Sequence, residues 1–93
     1  MYPFKAKLGV SNSGSKPRVV AVEPWANDYT LLPGEELEIV AFGNAQSPWF
    51  YVVEWGWASQ AYCNETADFK VVQNGVELRC GHNRQPEAGA EQS

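Results

Sequence analysis

Apolar and polar residues alternate with a period of two along most of this chain. Over residues 3–10, Phe4, Ala6, Leu8 and Val10 alternate with Lys5, Lys7 and Gly9, the pattern of a strand with one face buried. Residues 11–17 (SNSGSKP) are a cluster of turn formers, and residues 18–24 are a β-branched run ending on proline. Residues 24–33 read as a connection, punctuated by Pro24 and by Pro33-Gly34, a pair suited to the centre of a type II turn. Over residues 36–43, Leu37, Ile39 and Ala41 alternate with Glu36, Glu38 and Val40, and shorter strand-like runs follow at 48–55, 59–63, 68–73 and 76–80. No segment holds a helical period for three turns. The pattern predicts an all-β chain of about seven short strands, a small antiparallel β-sandwich or an open barrel. Residues 1–82 read as a single domain. Residues 83–93 contain no apolar side chain larger than alanine, which predicts a disordered tail.

Counting outward from the turns gives a register. Asn74-Gly75 between two apolar runs is a strong hairpin signal, because both residues accept positive φ. It sets Val71 opposite Leu78 and Phe69 opposite Cys80. If the chain also turns back at residues 64–66, Ala61 faces Phe69 and Cys63 faces Ala67. Directly opposite residues share a face, so one face collects Ala61, Cys63, Phe69, Val71, Leu78 and Cys80 and becomes the core. A turn at Gly56-Trp57 adds Phe50 and Val52 to that face. It puts Trp49, Tyr51, Val53 and Trp55 on the wet face beside Tyr62. A slip of one residue would exchange the two faces.

The resulting aromatic stripe is the main functional signal. Residues 47–63 hold three of the four tryptophans, two tyrosines and a phenylalanine. Two readings are open. In one, the connection at 24–33 or the N-terminal strand covers the stripe and makes a second small core. In the other, the rings stay exposed and bind a sugar, a peptide or a second copy of the chain, since rings give large contact area at little entropic cost. The connection carries Trp25, Tyr29, Leu31 and Leu32, enough to cover one end. Trp49 is therefore expected to be buried beneath it, with Trp55 and Trp57 partly exposed near the hairpin tip. Trp25 and Tyr29 anchor the connection or else form one wall of a pocket. The candidate ligand- or partner-binding residues are Trp25, Tyr29, Trp49, Tyr51, Trp55, Trp57 and Tyr62.

Composition removes several function classes. The chain has 93 residues, 44% hydrophobic and 19% charged, with a formal net charge of −4. That is enough for one core without staples. Seven Lys and Arg residues, scattered from Lys5 to Arg84, make no basic patch, so neither nucleic acid nor an anionic membrane is an expected partner. No apolar run approaches the roughly 20 residues that span a bilayer. The first residues lack the apolar stretch of a secretory leader, which predicts a cytoplasmic location.

In that compartment the two cysteines are expected to be buried free thiols. The predicted register sets Cys63 and Cys80 two strands apart, roughly 10 Å, against a bridging limit of about 7 Å between Cα atoms. Cys63, Cys80 and His82 are the alternative as metal ligands. With no CxxC pair and no second histidine they fall short of a standard zinc or copper site, so no cofactor or metal is expected. Glu35, Glu36 and Glu38 read as a solvated, edge-protecting cluster rather than a catalytic pair. No nucleophile motif or phosphate-binding loop is present. The expected function is a non-catalytic binding or interaction domain with an aromatic-rich surface, its partner a protein or a second copy. The alternatives are a carbohydrate- or peptide-binding module and a metal-binding protein using the Cys and His residues.

Residues 23–41 carry a Glu-Pro-Trp and then Tyr-x-Leu-x-Pro-Gly-Glu, followed by an alternating acidic and apolar strand. The matching positions are Glu23, Pro24, Trp25, Tyr29, Leu31, Pro33, Gly34, Glu35 and Glu38. In this the chain resembles small uncharacterised bacterial all-β proteins. The resemblance covers about a fifth of the sequence closely and the later strands only in pattern. It implies a bacterial, cytoplasmic all-β domain and transfers no activity.

Overall fold

In the computed structural model, which describes residues 1–85, the alternating segments become eight strands. These are β1 (Phe4–Ser11), β2 (Arg18–Glu23), β3 (Asn27–Leu31), β4 (Glu36–Gly43), β5 (Trp49–Glu54), β6 (Ala58–Asn64), β7 (Asp68–Gln73) and β8 (Val76–Leu78). They form two four-stranded sheets, ordered β1-β4-β7-β8 and β3-β2-β6-β5. Every pairing is antiparallel except β2 with β6, which run parallel with Val22 opposite Ala61. The fold is thus an all-β sandwich and not a closed barrel. Among the described residues no helix is long and apolar enough to cross a membrane.

The turns read from sequence are present. Asn74 and Gly75 both take positive φ, 51° and 80°, and set Val71 opposite Leu78. Gly34 has φ 86°, and the Glu35 N–H donates to the Leu32 carbonyl at 3.0 Å, closing the turn around Pro33-Gly34. Three expectations are corrected. Residues 27–31, expected as part of a covering connection, are strand β3 paired with β2, which raises the strand number to eight. Tyr29 and Leu31 point into the core from it. Next, β6 and β7 do not pair: the chain crosses between sheets at residues 64–68, and β7 lies against β4, with Phe69 opposite Ala41. Lastly, β8 stops at Leu78, so Cys80 never reaches Phe69 and is exposed.

Apart from Cys80 and Val52, which is 40% exposed at the open edge of β5, the core assignment survives these changes for a physical reason. The inner faces of both sheets meet in one apolar layer, so pairing within a sheet and packing across the gap bring the same side chains together. Val20, Val22, Tyr29, Leu31, Ala61 and Cys63 come from one sheet, and Leu37, Ile39 and Val71 from the other. Leu8, Val10, Phe50, Phe69 and Leu78 pack around this cluster.

Two polar devices hold the loops. Asn12, only 4% exposed, donates from its amide to the carbonyls of Leu31 (2.9 Å) and Lys16 (2.8 Å), and its Oδ1 accepts from the Gly14 N–H. Its own backbone bonds Glu35 and Gly34, so one residue ties the β1–β2 loop to the β3–β4 turn. The second device follows β8, where the chain runs as a strap along the outer side of β3. There the Gly81 N–H donates to the Asp28 carbonyl at 2.7 Å, and the Thr30 N–H to that of His82 at 2.8 Å. Arg84 Nε donates to Asp28 Oδ2 at 3.0 Å. Hydrogen bonding from this guanidinium holds the Asp28 carboxyl below its ordinary pKa against a smaller opposing effect of burial. Of the expected tail at 83–93, residues 86–93 lie outside the described residues.

Asn12→Ala strands the buried carbonyl of Leu31 and the partly buried one of Lys16 at once. It should destabilise the fold by about 2–3 kcal/mol in urea unfolding, whereas Ser13→Ala, next to it on the surface, should stay within about 0.5 kcal/mol of the parent.

Candidate binding surface

The β3-β2-β6-β5 sheet turns one face to the core and leaves the other to solvent. In the β5–β6 register Trp49 lies opposite Asn64, Tyr51 opposite Tyr62 and Val53 opposite Gln60, all on the outer face. The Tyr51 and Tyr62 rings are 6.1 Å apart at their centroids. The Trp55 N–H donates to the Ala58 carbonyl at 2.7 Å, which carries the ladder one pair further. On the outer face Trp55 Nε1 donates to Gln60 Oε1 at 2.6 Å, and Gln60 Nε2 reaches Glu23 Oε2 at 3.4 Å.

Beside these groups lies a shallow trough of about 510 Å³. Val19, Ala21 and Ala58 line it together with Trp55, Trp57 and Gln60. A second hollow of about 520 Å³ shares Trp57 as a wall and is lined by the loop at residues 11–17 with Arg18, Glu54 and Gly56. Trp57 is therefore common to an apolar and a polar depression, and it is 68% exposed.

Arg18 fixes this end of the sheet. Its guanidinium donates to the carbonyls of Trp55 (2.9 Å) and Ala58 (3.0 Å), more loosely to that of Gly56, and its Nε donates to Ser59 Oγ at 2.9 Å. Glu54 lies 3.4 Å from the same group. The carbonyls of a hairpin tip are normally left to water; here one cation collects them. The backbone that carries Trp55 and Trp57 is thereby held in place.

The candidate residues divide. Trp49, Tyr51, Trp55, Trp57 and Tyr62 are at or beside the outer face, as the counted register places them. Trp49 is 55% exposed rather than buried, because the segment expected to cover it is itself a strand at the far edge of the same sheet. Tyr29 is a core residue, 2% exposed, and is no part of a surface. Trp25 sits in the β2–β3 turn with its ring 4.5 Å from that of Phe69, closing an end of the core instead of walling the trough. Sequence reasoning missed Arg18, Val19, Ala21 and Glu23, all of which depend on the parallel β2–β6 pairing, for which no turn gives a count. Gln60, opposite Val53, follows from the β5–β6 hairpin.

The alternative metal set is not assembled. Cys63 lies in the core, where burial pushes its thiol up to about 11. Cys80 is exposed on the strap with its sulfur 3.7 Å from Asp28 Oδ1, which corrects the expectation of two buried thiols. Among the described residues no three His, Cys, Asp or Glu side chains come together. No protein-family model matches the chain, and neither a curated protein nor a solved structure is detectably similar to it.

The two thiols should separate cleanly. Under native conditions a thiol reagent should modify Cys80 rapidly and Cys63 only on unfolding. The folded Cys63 holds its proton to a higher pH than the unfolded chain does. Its contribution to stability is thus complete below about pH 9 and is lost as pH rises towards 11. Urea titrations across that interval should show a fall of roughly 2–3 kcal/mol, and Cys63→Ala should remove that part of the slope.

Proposed function

We propose that this chain is a non-catalytic binding domain whose ligand surface is the outer face of the β3-β2-β6-β5 sheet. One observation carries the reading. Trp49, Tyr51, Trp55 and Trp57 are each more than half exposed on or beside a sheet face whose opposite side already supplies the core. Folding gains nothing from leaving four large rings in water, whereas binding gains apolar area at roughly 25 cal/mol per Å² and little side-chain entropy is lost. Scattered exposed apolar residues are ordinary; a row of them on one sheet face marks an interaction site. The exposed free thiol at Cys80 favours a reducing compartment, and we assign the domain to the cytoplasm.

A carbohydrate or peptide ligand is the narrower form of this reading. The trough favours it: an apolar floor of Val19, Ala21 and Ala58 lies between two indoles, with the Gln60 amide at hand for a hydroxyl or a peptide group. Rings of this kind stack on the C–H face of a sugar or on an apolar side chain, and the amide adds direction.

Tryptophan emission should therefore change on titration with soluble oligosaccharides or with short unstructured peptides, and one class should saturate. Trp57→Ala should weaken that binding at least tenfold while moving stability by less than about 1 kcal/mol. If Trp57→Ala lowers stability as much as a core truncation does, by about 3–5 kcal/mol, the ring is structural and this reading is lost.

A further inference from the structure

The sandwich has four sheet edges, and three are protected. The edge strand β1 carries Lys5 and Lys7, β8 is three residues long, and the outer side of β3 is bonded by the strap at Gly81–His82. Lysines, shortness and coverage are the usual means by which native sheets avoid edge-to-edge pairing. The fourth edge, β5, has none of them. Its sequence WFYVVE holds no charge before Glu54, and among the described residues it pairs only with β6. Val52, on the core side of this strand, is 40% exposed, so the edge is open apolar surface on its inner side as well.

The hydrogen-bonding phase of this edge can be read. Trp55 N–H bonds the Ala58 carbonyl directly across the hairpin, so Val53, Tyr51 and Trp49 use their backbone groups on β6. Phe50, Val52 and Glu54 then present theirs to the open side. We propose that the protein forms a twofold dimer by antiparallel pairing of β5 with β5 of a second copy, centred on Val52. Opposite residues must share a face, so the axis has to pass through a residue and not between two. With Val52 on the axis, Phe50 of each copy lies opposite Glu54 of the other. All three outward residues of both strands then find partners, and the one charge on the edge does not face itself. Centring on Phe50 or Glu54 would leave outward groups of this strand unpaired. The same register sets Trp49 of one copy against Trp55 of the other and Tyr51 against Val53. The two aromatic stripes become one continuous row on an eight-stranded sheet.

The second copy is favoured over another protein because this match needs no feature beyond the strand's own sequence. The inference rests on the edge and not on the ligand reading above. Trp57 lies outside β5, so Trp57→Ala should leave the dimer intact even where it abolishes ligand binding.

Sedimentation equilibrium over a range of concentrations tests the dimer. The parent chain should associate reversibly. Val52→Lys, which sets two ammonium groups against each other at the axis, should raise the dissociation constant at least tenfold and keep the native near-ultraviolet circular dichroism. In a Cys80→Ser background, Val52→Cys should cross-link copies under mild oxidation and Trp49→Cys should not. A parent chain that is monomeric at the highest concentration, a dimer indifferent to Val52→Lys, or equal cross-linking at both positions would overturn the proposal. So would a monomer whose β5 edge takes up an added extended peptide instead.

Discussion

The width of the gap between the two sheets governs where the tryptophan rings can go. Sheets packed face to face lie about 10 Å apart, and here most of that space is filled by medium aliphatic side chains, with Leu31, Ile39, Val20, Val22 and Val71 fully buried and Tyr29 the one ring of the buried cluster. An indole added to that layer would force the sheets apart. All four tryptophans are accordingly outside it and at least 38% exposed. Trp25 covers an end of the core, and the other three lie on or beside the outer face of the β3-β2-β6-β5 sheet or its hairpin tip. Of the rings at 47–63, Phe50 packs against the core, while Trp49, Tyr51, Trp55 and Trp57 are more than half exposed.

A surface of that kind needs a rigid frame, and the polar residues supply it. Arg18 gathers carbonyls from the β5–β6 turn, and Asn12 gathers groups from two loops that lie far apart in sequence. Both residues sit where chain segments change direction and backbone groups would otherwise depend on water. Buried or half-buried hydrogen bonds of this kind fix geometry more than they add net stability.

What was legible in the sequence follows from how local each feature is. The Asn74-Gly75 and Pro33-Gly34 turns are written in adjacent residues, and the faces of β5 and β6 follow by counting from a short hairpin. The alternation around Leu37, Ile39 and Ala41 marks an inner face however the strand is paired. β3 was obscured because Pro24 and Pro33 frame it like a loop, although Asn27, Tyr29 and Leu31 alternate with Asp28 and Thr30. The parallel contact of β2 with β6 joins residues some forty positions apart without a turn between them, so no pattern announces it. The trough floor and the Arg18 clasp both depend on that contact, and for this reason the candidate surface was legible only as a row of rings on one face of β5 and β6. Trp49 was misplaced on the same account, since its supposed cover belonged to the sheet itself.

The strap along β3 has a consequence for how the molecule can assemble. A sheet with two open edges is a divalent unit: each copy can accept one neighbour and offer itself to the next, and growth has no natural end. With Gly81 and His82 occupying the β3 side, this sheet keeps one open edge and becomes monovalent. In the proposed dimer, pairing through β5 would use up the last free site of this sheet on both copies, and the assembly would close at two. On that reading, the short strap that bonds β3 through Gly81 and His82 is what would separate a closed particle from a fibre.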